Sequence, residues 1–132
     1  MEEVVSADTA TRFGLQLVVQ FGSTTKGCIH AHSDVDIGML LDHYPSFDEL
    51  GQLESVLKPL AGERPLDLAI LNHADPLFLK QVSESARLVY GSPTRFHEFR
   101  AYAYRRYQDH RRYLALERDY VARATSGLAA GG

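Results

Sequence analysis

The sequence contains one cysteine and no long apolar run, and each of these features excludes a class of protein. Cys28 has no second cysteine to pair with, so an internal disulfide is excluded and a reducing cytoplasm is the expected location. No stretch of about 18 apolar residues occurs, so no membrane span is expected. The acidic start of the chain argues against a secretion signal.

Acidic residues outnumber basic ones, and the net charge of −3 is unevenly distributed. Residues 1–94 carry 6 Lys/Arg and 13 Asp/Glu, whereas residues 95–132 carry 8 Arg and 4 Asp/Glu. The basic end is typical of a solvated helix face or of a surface for an acidic partner, and direct nucleic-acid binding is not expected. The length of 132 residues fits one domain.

Hydrophobic periodicity and turn residues predict an α+β fold, with a small mixed sheet of about four strands flanked by helices. Strands are expected at residues 15–21, 34–41, 66–71 and 86–90, and helices near residues 6–13, 46–58, 75–84 and 93–124. Residues 1–124 are interpreted as a single domain and residues 125–132 as a disordered tail.

The predicted last helix, residues 93–124, is apolar on more than one side. A core-facing stripe is expected at Phe96, Phe99, Ala103, Tyr107, Leu114 and Val121. A second, partly apolar surface consists of Tyr102, Tyr113, Leu116 and Tyr120. Helices of this kind often pack against a partner protein or a second copy of the same chain.

The stretch from Phe21 to Leu41 contains the residues with the clearest chemistry. Gly22 and Ser23 follow a predicted strand, and this pairing of a bare backbone with a small hydroxyl suits close approach to a phosphate. Asp34 and Asp36 are expected on one face of the next strand, where they repel each other unless a cation lies between them. Oxygen-only ligands favour Mg²⁺ or Mn²⁺, so the pattern indicates metal-assisted chemistry on a nucleotide.

A third acid strengthens this interpretation. Asp67 stands between Leu66 and Leu68 in a predicted strand, where aspartate is uncommon and needs a reason. If the second and third strands are neighbours, Asp67 lies beside Asp34 and Asp36, and the three acids can hold one or two divalent ions.

Two rival motifs are weaker. Gly22 and Gly27 have the spacing of a Walker-type loop, but Cys28 stands where that loop requires lysine. His30 and His32 lack the third or fourth ligand that a zinc site needs.

The combination of Gly22-Ser23, Asp34-Val35-Asp36 and Leu66-Asp67-Leu68 resembles the minimal nucleotidyltransferase branch of the DNA polymerase β superfamily. Gly27 and Ser33 also match that pattern, whereas Lys26 stands where many members carry arginine. The resemblance implies the polymerase β-like fold, with Asp34, Asp36 and Asp67 as metal ligands and catalytic residues. It further implies that Gly22, Ser23, Lys26 and Ser33 contact the nucleotide.

The reaction implied by the resemblance is transfer of AMP from ATP to a hydroxyl, with Mg²⁺ as the metal and Mn²⁺ as its substitute. Small proteins of this branch are antitoxins that AMP-modify a tyrosine of a helical HEPN ribonuclease toxin, and this is the leading hypothesis. Two alternatives stay open: a small-molecule nucleotidyltransferase of the aminoglycoside-modifying kind, working as a dimer, and a non-catalytic module that binds its partner without turnover.

Overall fold

Three of the helices that the structure describes begin directly after a capping residue. The computed structural model describes residues 4–22 and 33–130. The elements are α1 (Ala7–Phe13), β1 (Leu15–Phe21), β2 (Val35–Leu41), α2 (Phe47–Leu57), β3 (Leu66–Ile70), α3 (Pro76–Ser85), β4 (Arg87–Tyr90) and α4 (Pro93–Ala130). Ser6 caps α1, Ser46 forms a capping box with Glu49 on α2, and Asp75 caps α3 ahead of Pro76.

The four strands form one mixed sheet in the order β3-β2-β1-β4. The β1 strand pairs antiparallel with both β2 and β4, while β2 and β3 are parallel and are joined through α2. The predicted α+β class is therefore confirmed, and the second and third strands are neighbours, which is the condition under which Asp67 was expected beside the other acids. This order places the start of β2 between the end of β1 and the start of β3.

Two apolar clusters cover the two faces of the sheet. Ile37 and Met39 face α1 and α2, where Leu53 and Leu57 are fully buried against them. On the opposite face, Leu17 and Val19 of β1 and Leu71 after β3 pack against α3 and the first half of α4, whose buried residues there are Leu79, Val82, Phe99 and Ala103. Because side chains alternate along a strand, Asp36, Gly38 and Leu40 of β2 point toward the α3/α4 side.

The long helix α4 differs from its prediction in two respects. It continues to Ala130, so residues 125–130 are helical and not the disordered tail that was expected. Phe99 and Ala103 are buried as predicted, but Leu114 and Val121 are exposed because the sheet does not extend far enough to cover them. None of the helices that the structure describes combines the length and the apolar character needed to cross a membrane.

Candidate active site

Asp36 and Asp67 lie side by side on neighbouring strands. The parallel register of β2 and β3 pairs Asp36 with Asp67, and adjacent strands are about 4.8 Å apart. Their flanking residues Val35, Ile37, Leu66 and Leu68 pack into the α1/α2 cluster, so both carboxylates emerge on the other face. Asp36 is half-buried and Asp67 is exposed. The structure thus places Asp67 beside Asp36, as expected for neighbouring second and third strands.

The surroundings of Asp36 disfavour its charged form. Burial raises the pKa of Asp36, and repulsion from Asp67, a carboxyl–carboxyl hydrogen bond with Asp67 and the charge of Asp34 raise it further. A divalent cation would relieve all three electrostatic effects at once, because it offers positive charge to each carboxylate. The donor set therefore fits a hard, oxygen-liganded cation.

Gly22 lies directly against the Asp36 carboxylate. It follows the last residue of β1, Phe21, which is paired with Asp36, and its φ of +82° is in the left-handed region. A Cβ at this position would lie 2.3 Å from Oδ2 of Asp36, so no side chain fits without moving the carboxylate. The Gly22 N–H also donates a 3.0 Å hydrogen bond to Oγ of Ser85 at the end of α3.

Of the remaining predicted site residues, the structure describes some and leaves the others outside the described ranges. Asp34 is exposed just before β2, and Ser33 beside it is half-buried. Ser23 and Lys26 lie outside the described residues, as do Cys28, His30 and His32. Sequence reasoning missed Ser85, whose hydroxyl accepts from Gly22 across 63 residues of chain, and no local pattern marks it.

The carboxylates do not form a closed metal cage by themselves. Within residues 4–22 and 33–130, no three His, Cys, Asp or Glu side chains are grouped closely enough to hold a metal ion. Asp36 and Asp67 are neighbours, and Asp34 is near enough to raise the pKa of Asp36. The described part of the site is a neighbouring pair of carboxylates, with Asp34 close enough to affect Asp36.

Comparison with known protein families gives one match. The family model described as "Polymerase beta, Nucleotidyltransferase" matches residues 7–95, which include the sheet and all three acids. No significant match is found among curated proteins.

Several solved structures share the fold. A chain from a toxin–antitoxin crystal structure with AMP-PNP has a TM-score of 0.63 at 24% identity, covering 89% of this chain and 92% of that one. A chain from the tri-AMPylated Shewanella oneidensis HEPN toxin in complex with MNT antitoxin has a TM-score of 0.59 at 22% identity, covering 86% and 84%. A chain from the toxin–antitoxin MntA-HepT has a TM-score of 0.58 at 22% identity, covering 86% and 85%.

Proposed function

Because this chain belongs to the polymerase β nucleotidyltransferase family, we propose that it transfers AMP from ATP to a tyrosine hydroxyl of a helical HEPN toxin and thereby acts as an antitoxin. The observation that carries the proposal is the parallel register of Asp36 and Asp67 with Gly22 against the Asp36 carboxylate. This arrangement brings two acids and a glycine backbone without a side chain to the same point of the sheet.

Asp34, Asp36 and Asp67 would hold the metal, and Mg²⁺ is the ion that an all-carboxylate set of this kind favours. When bound, divalent metal supplies charge neutralisation at the attacking and leaving oxygens of an in-line displacement. The raised pKa of Asp36 is consistent with this role, since the protein keeps unfavourable negative charge where a cation is to bind.

From the order of the strands we infer a separate side for each substrate. Gly22 lies on the β1 side of Asp36, and Asp67 lies on the β3 side. The triphosphate would lie along Gly22, with Ser23, Lys26 and Ser33 as its predicted contacts. The acceptor would approach exposed Asp67, which can take the proton of its hydroxyl. A bond forms between the acceptor oxygen and the α-phosphorus, the bond from that phosphorus to the β-phosphate oxygen breaks, and pyrophosphate leaves.

The second half of α4 supplies a surface for the partner. This distal helix surface consists of Tyr113, Leu114, Leu116, Tyr120 and Val121, whose exposed fractions run from 39% to 75%. A group of exposed apolar side chains of this size is typical of a protein interface. The AMP-PNP, HEPN toxin and antitoxin in the structures of similar chains support both the nucleotide and the partner class.

The test is transfer of label from α-labelled ATP, with Mg²⁺, to a HEPN protein that co-purifies with this chain. Label is expected on the partner, and Asp36→Asn is expected to abolish it while the fold survives. Asp42→Asn is the matched control, because Asp42 is an exposed aspartate just after β2 that pairs with His43, away from the site.

Three results would contradict the proposal. Asp36→Asn activity within a few-fold of the parent would remove the assigned role of that carboxylate. Label on an aminoglycoside without any protein partner would favour the small-molecule enzyme, and partner binding without label would favour the non-catalytic module.

A further inference from the structure

The turn at Gly22, directly after β1, is attached to α3 by a hydrogen bond from its backbone. The Gly22 N–H donates to Oγ of Ser85 at 3.0 Å, and Ser85 is the last residue of α3. The Ser85 hydroxyl also donates within its own helix, to the carbonyl oxygen of Gln81 at 3.5 Å. A hydroxyl that donates in this direction keeps its lone pairs for Gly22, so it is an acceptor of defined orientation.

The register of β1 and β4 explains how residue 85 reaches this position. Gln20 pairs with Arg87, and the Arg87 guanidinium donates a 2.7 Å hydrogen bond to Oε1 of Gln20. In an antiparallel ladder the same pairing recurs two residues along each strand, which brings Gly22 opposite Ser85. Because β4 begins only at Arg87 and Ser85 is helical, a side-chain oxygen takes the place of the carbonyl that a longer strand would offer.

Helix α3 also contacts the residue before the turn. The Phe21 ring packs edge-to-face on the ring of Phe78, with the two centroids 5.8 Å apart. Leu79 and Val82 of the same helix are fully buried against the sheet and α4. Close packing of this kind leaves a helix little freedom to move, so α3 is a rigid support for the end of β1.

This support matters because Gly22 limits the position of the Asp36 carboxylate. A Cβ on Gly22 would lie 2.3 Å from Oδ2 of Asp36, so the Gly22 backbone and this carboxylate are in close contact. Gly22 has a φ of +82°, and glycine has the widest choice of backbone conformations, so its neighbours must fix the one that it adopts. A shift of the turn therefore changes the space that Asp36 can occupy.

We propose that Ser85 is a positioning residue for nucleotidyl transfer, which acts by holding the Gly22 backbone against the Asp36 carboxylate. This inference rests on the proposed function and adds that α3 sets the distance between the phosphate side of the site and Asp36. Ser85 contributes geometry and takes no part in bond formation or proton transfer.

The first experiment tests the contact without any substrate. Hydrogen exchange of the Gly22 amide is followed by NMR in the parent chain, Ser85→Ala, Ser85→Thr and Ser83→Ala. Ser85→Ala is expected to speed exchange about fivefold, as for the loss of one ordinary hydrogen bond, and Ser85→Thr is expected to keep the protection because it keeps the hydroxyl. Ser83→Ala is the matched control, since Ser83 is half-buried on the same helix and its hydroxyl donates to the carbonyl oxygen of Lys80. Equal exchange in the parent and in Ser85→Ala would overturn the proposal.

The second experiment measures AMP transfer to the co-purifying HEPN protein with saturating ATP and Mg²⁺. Ser85→Ala is expected to lower kcat at least about tenfold, because a displacement of reacting groups by a fraction of an ångström slows the chemical step. The KM for the partner is expected to stay unchanged, since the distal helix surface is remote from Ser85. Ser85→Thr is expected to restore most of kcat, and Ser83→Ala to match the parent. A purely structural role would lower the melting temperature of Ser85→Ala without changing either kinetic constant well below that temperature.

A parental kcat in Ser85→Ala, or an equal loss of kcat in Ser83→Ala, would refute the inference while leaving the proposed function intact. Absence of any transfer by the parent would instead contradict the proposed function, and exchange of the Gly22 amide would still decide whether Ser85 holds the turn.

Discussion

The variant Gly22→Ala has two expected effects that can be measured separately. Backbone strain lowers stability, and displacement of the Asp36 carboxylate lowers activity. The new Cβ would lie 2.3 Å from Oδ2 of Asp36, so the carboxylate must retreat by about 1 Å to reach ordinary contact. The carboxylate is the free end of a side chain and can rotate, so the shift itself costs little stability. The φ of +82° adds about 1–2 kcal/mol, partly offset by the lower entropy of the unfolded alanine chain. The expected net loss of stability is about 1 kcal/mol.

The effect on activity is expected to be much larger than the effect on stability. A misplacement of about 1 Å in a reacting group can lower the rate about a hundredfold, and Asp36 is the proposed metal ligand that Gly22 touches. The assay is AMP transfer under saturating ATP and Mg²⁺, alongside urea unfolding of the same preparations.

Two other glycines provide matched controls. Gly62 has a φ of +63°, and a Cβ added there would meet no atom within 4 Å, so Gly62→Ala measures the backbone cost alone. Gly14 has a φ of +70° and its Cβ would lie 2.0 Å from Oδ1 of Asp42, so Gly14→Ala displaces a carboxylate remote from the site. All three variants are expected to lose similar stability, and only Gly22→Ala to lose activity. Activity in Gly22→Ala equal to that in the two controls would refute the reasoning.

Three further predictions concern charge and the partner surface. Since the pKa of Asp36 is raised in the folded state, stability falls as pH rises from the ordinary carboxyl range through the folded pKa. Metal-free Asp36→Asn should therefore be more stable than the parent at neutral pH by up to about 1 kcal/mol, and this gain should be lost in acid. Urea unfolding at both pH values measures the difference, and a destabilised variant at neutral pH would contradict the prediction. Hydrogen bonds to Asp42 and then Glu49 raise the pKa of His43, so its contribution is present below the ordinary histidine pKa and is lost as pH rises through the folded one. The melting temperatures of His43→Gln and the parent should accordingly converge in alkali, and a constant difference would show that the pairing is not electrostatic. Leu116→Glu should weaken partner binding at least about tenfold without changing the melting temperature, because Leu116 is 70% exposed; unchanged affinity in a pull-down titration would exclude this part of α4 from the interface.

Local signals in the sequence predicted most elements of the fold. Ser6, Ser46 and Asp75 cap helices because their side chains satisfy backbone N–H groups a few residues away, and such short-range chemistry is visible in sequence. The placement of Asp67 beside Asp36 was also predictable. A carboxylate in a strand of apolar residues is costly to bury, so its presence indicates a polar site next to it.

Other features depend on contacts that sequence does not record. The apolar stripe on α4 continues to Leu114 and Val121 with the same periodicity as its buried part at Phe99 and Ala103. The periodicity does not indicate where the sheet beneath the helix ends. The contact between Gly22 and Asp36 requires the exact antiparallel register of β1 and β2. His73 has a φ of 58° next to Asn72, whose side-chain amide forms hydrogen bonds with the backbone of Leu41, 31 residues away, and no sequence pattern marks this pairing. The roles of all the predicted site residues, the three acids included, stay predictions.

The parallel pairing of β2 and β3 has a consequence for synthesis of the protein. Parallel neighbours require a crossover, so the two carboxylates become adjacent only after α2 has packed across the sheet and β3 has found its register. A ribosome-bound chain that ends before residue 67 lacks half of the pair, and a misregistered β3 would turn Asp67 to the opposite face. If the pair binds a cation as proposed, cation binding reports that the middle of the domain has assembled, and an unfinished chain is expected to be inactive.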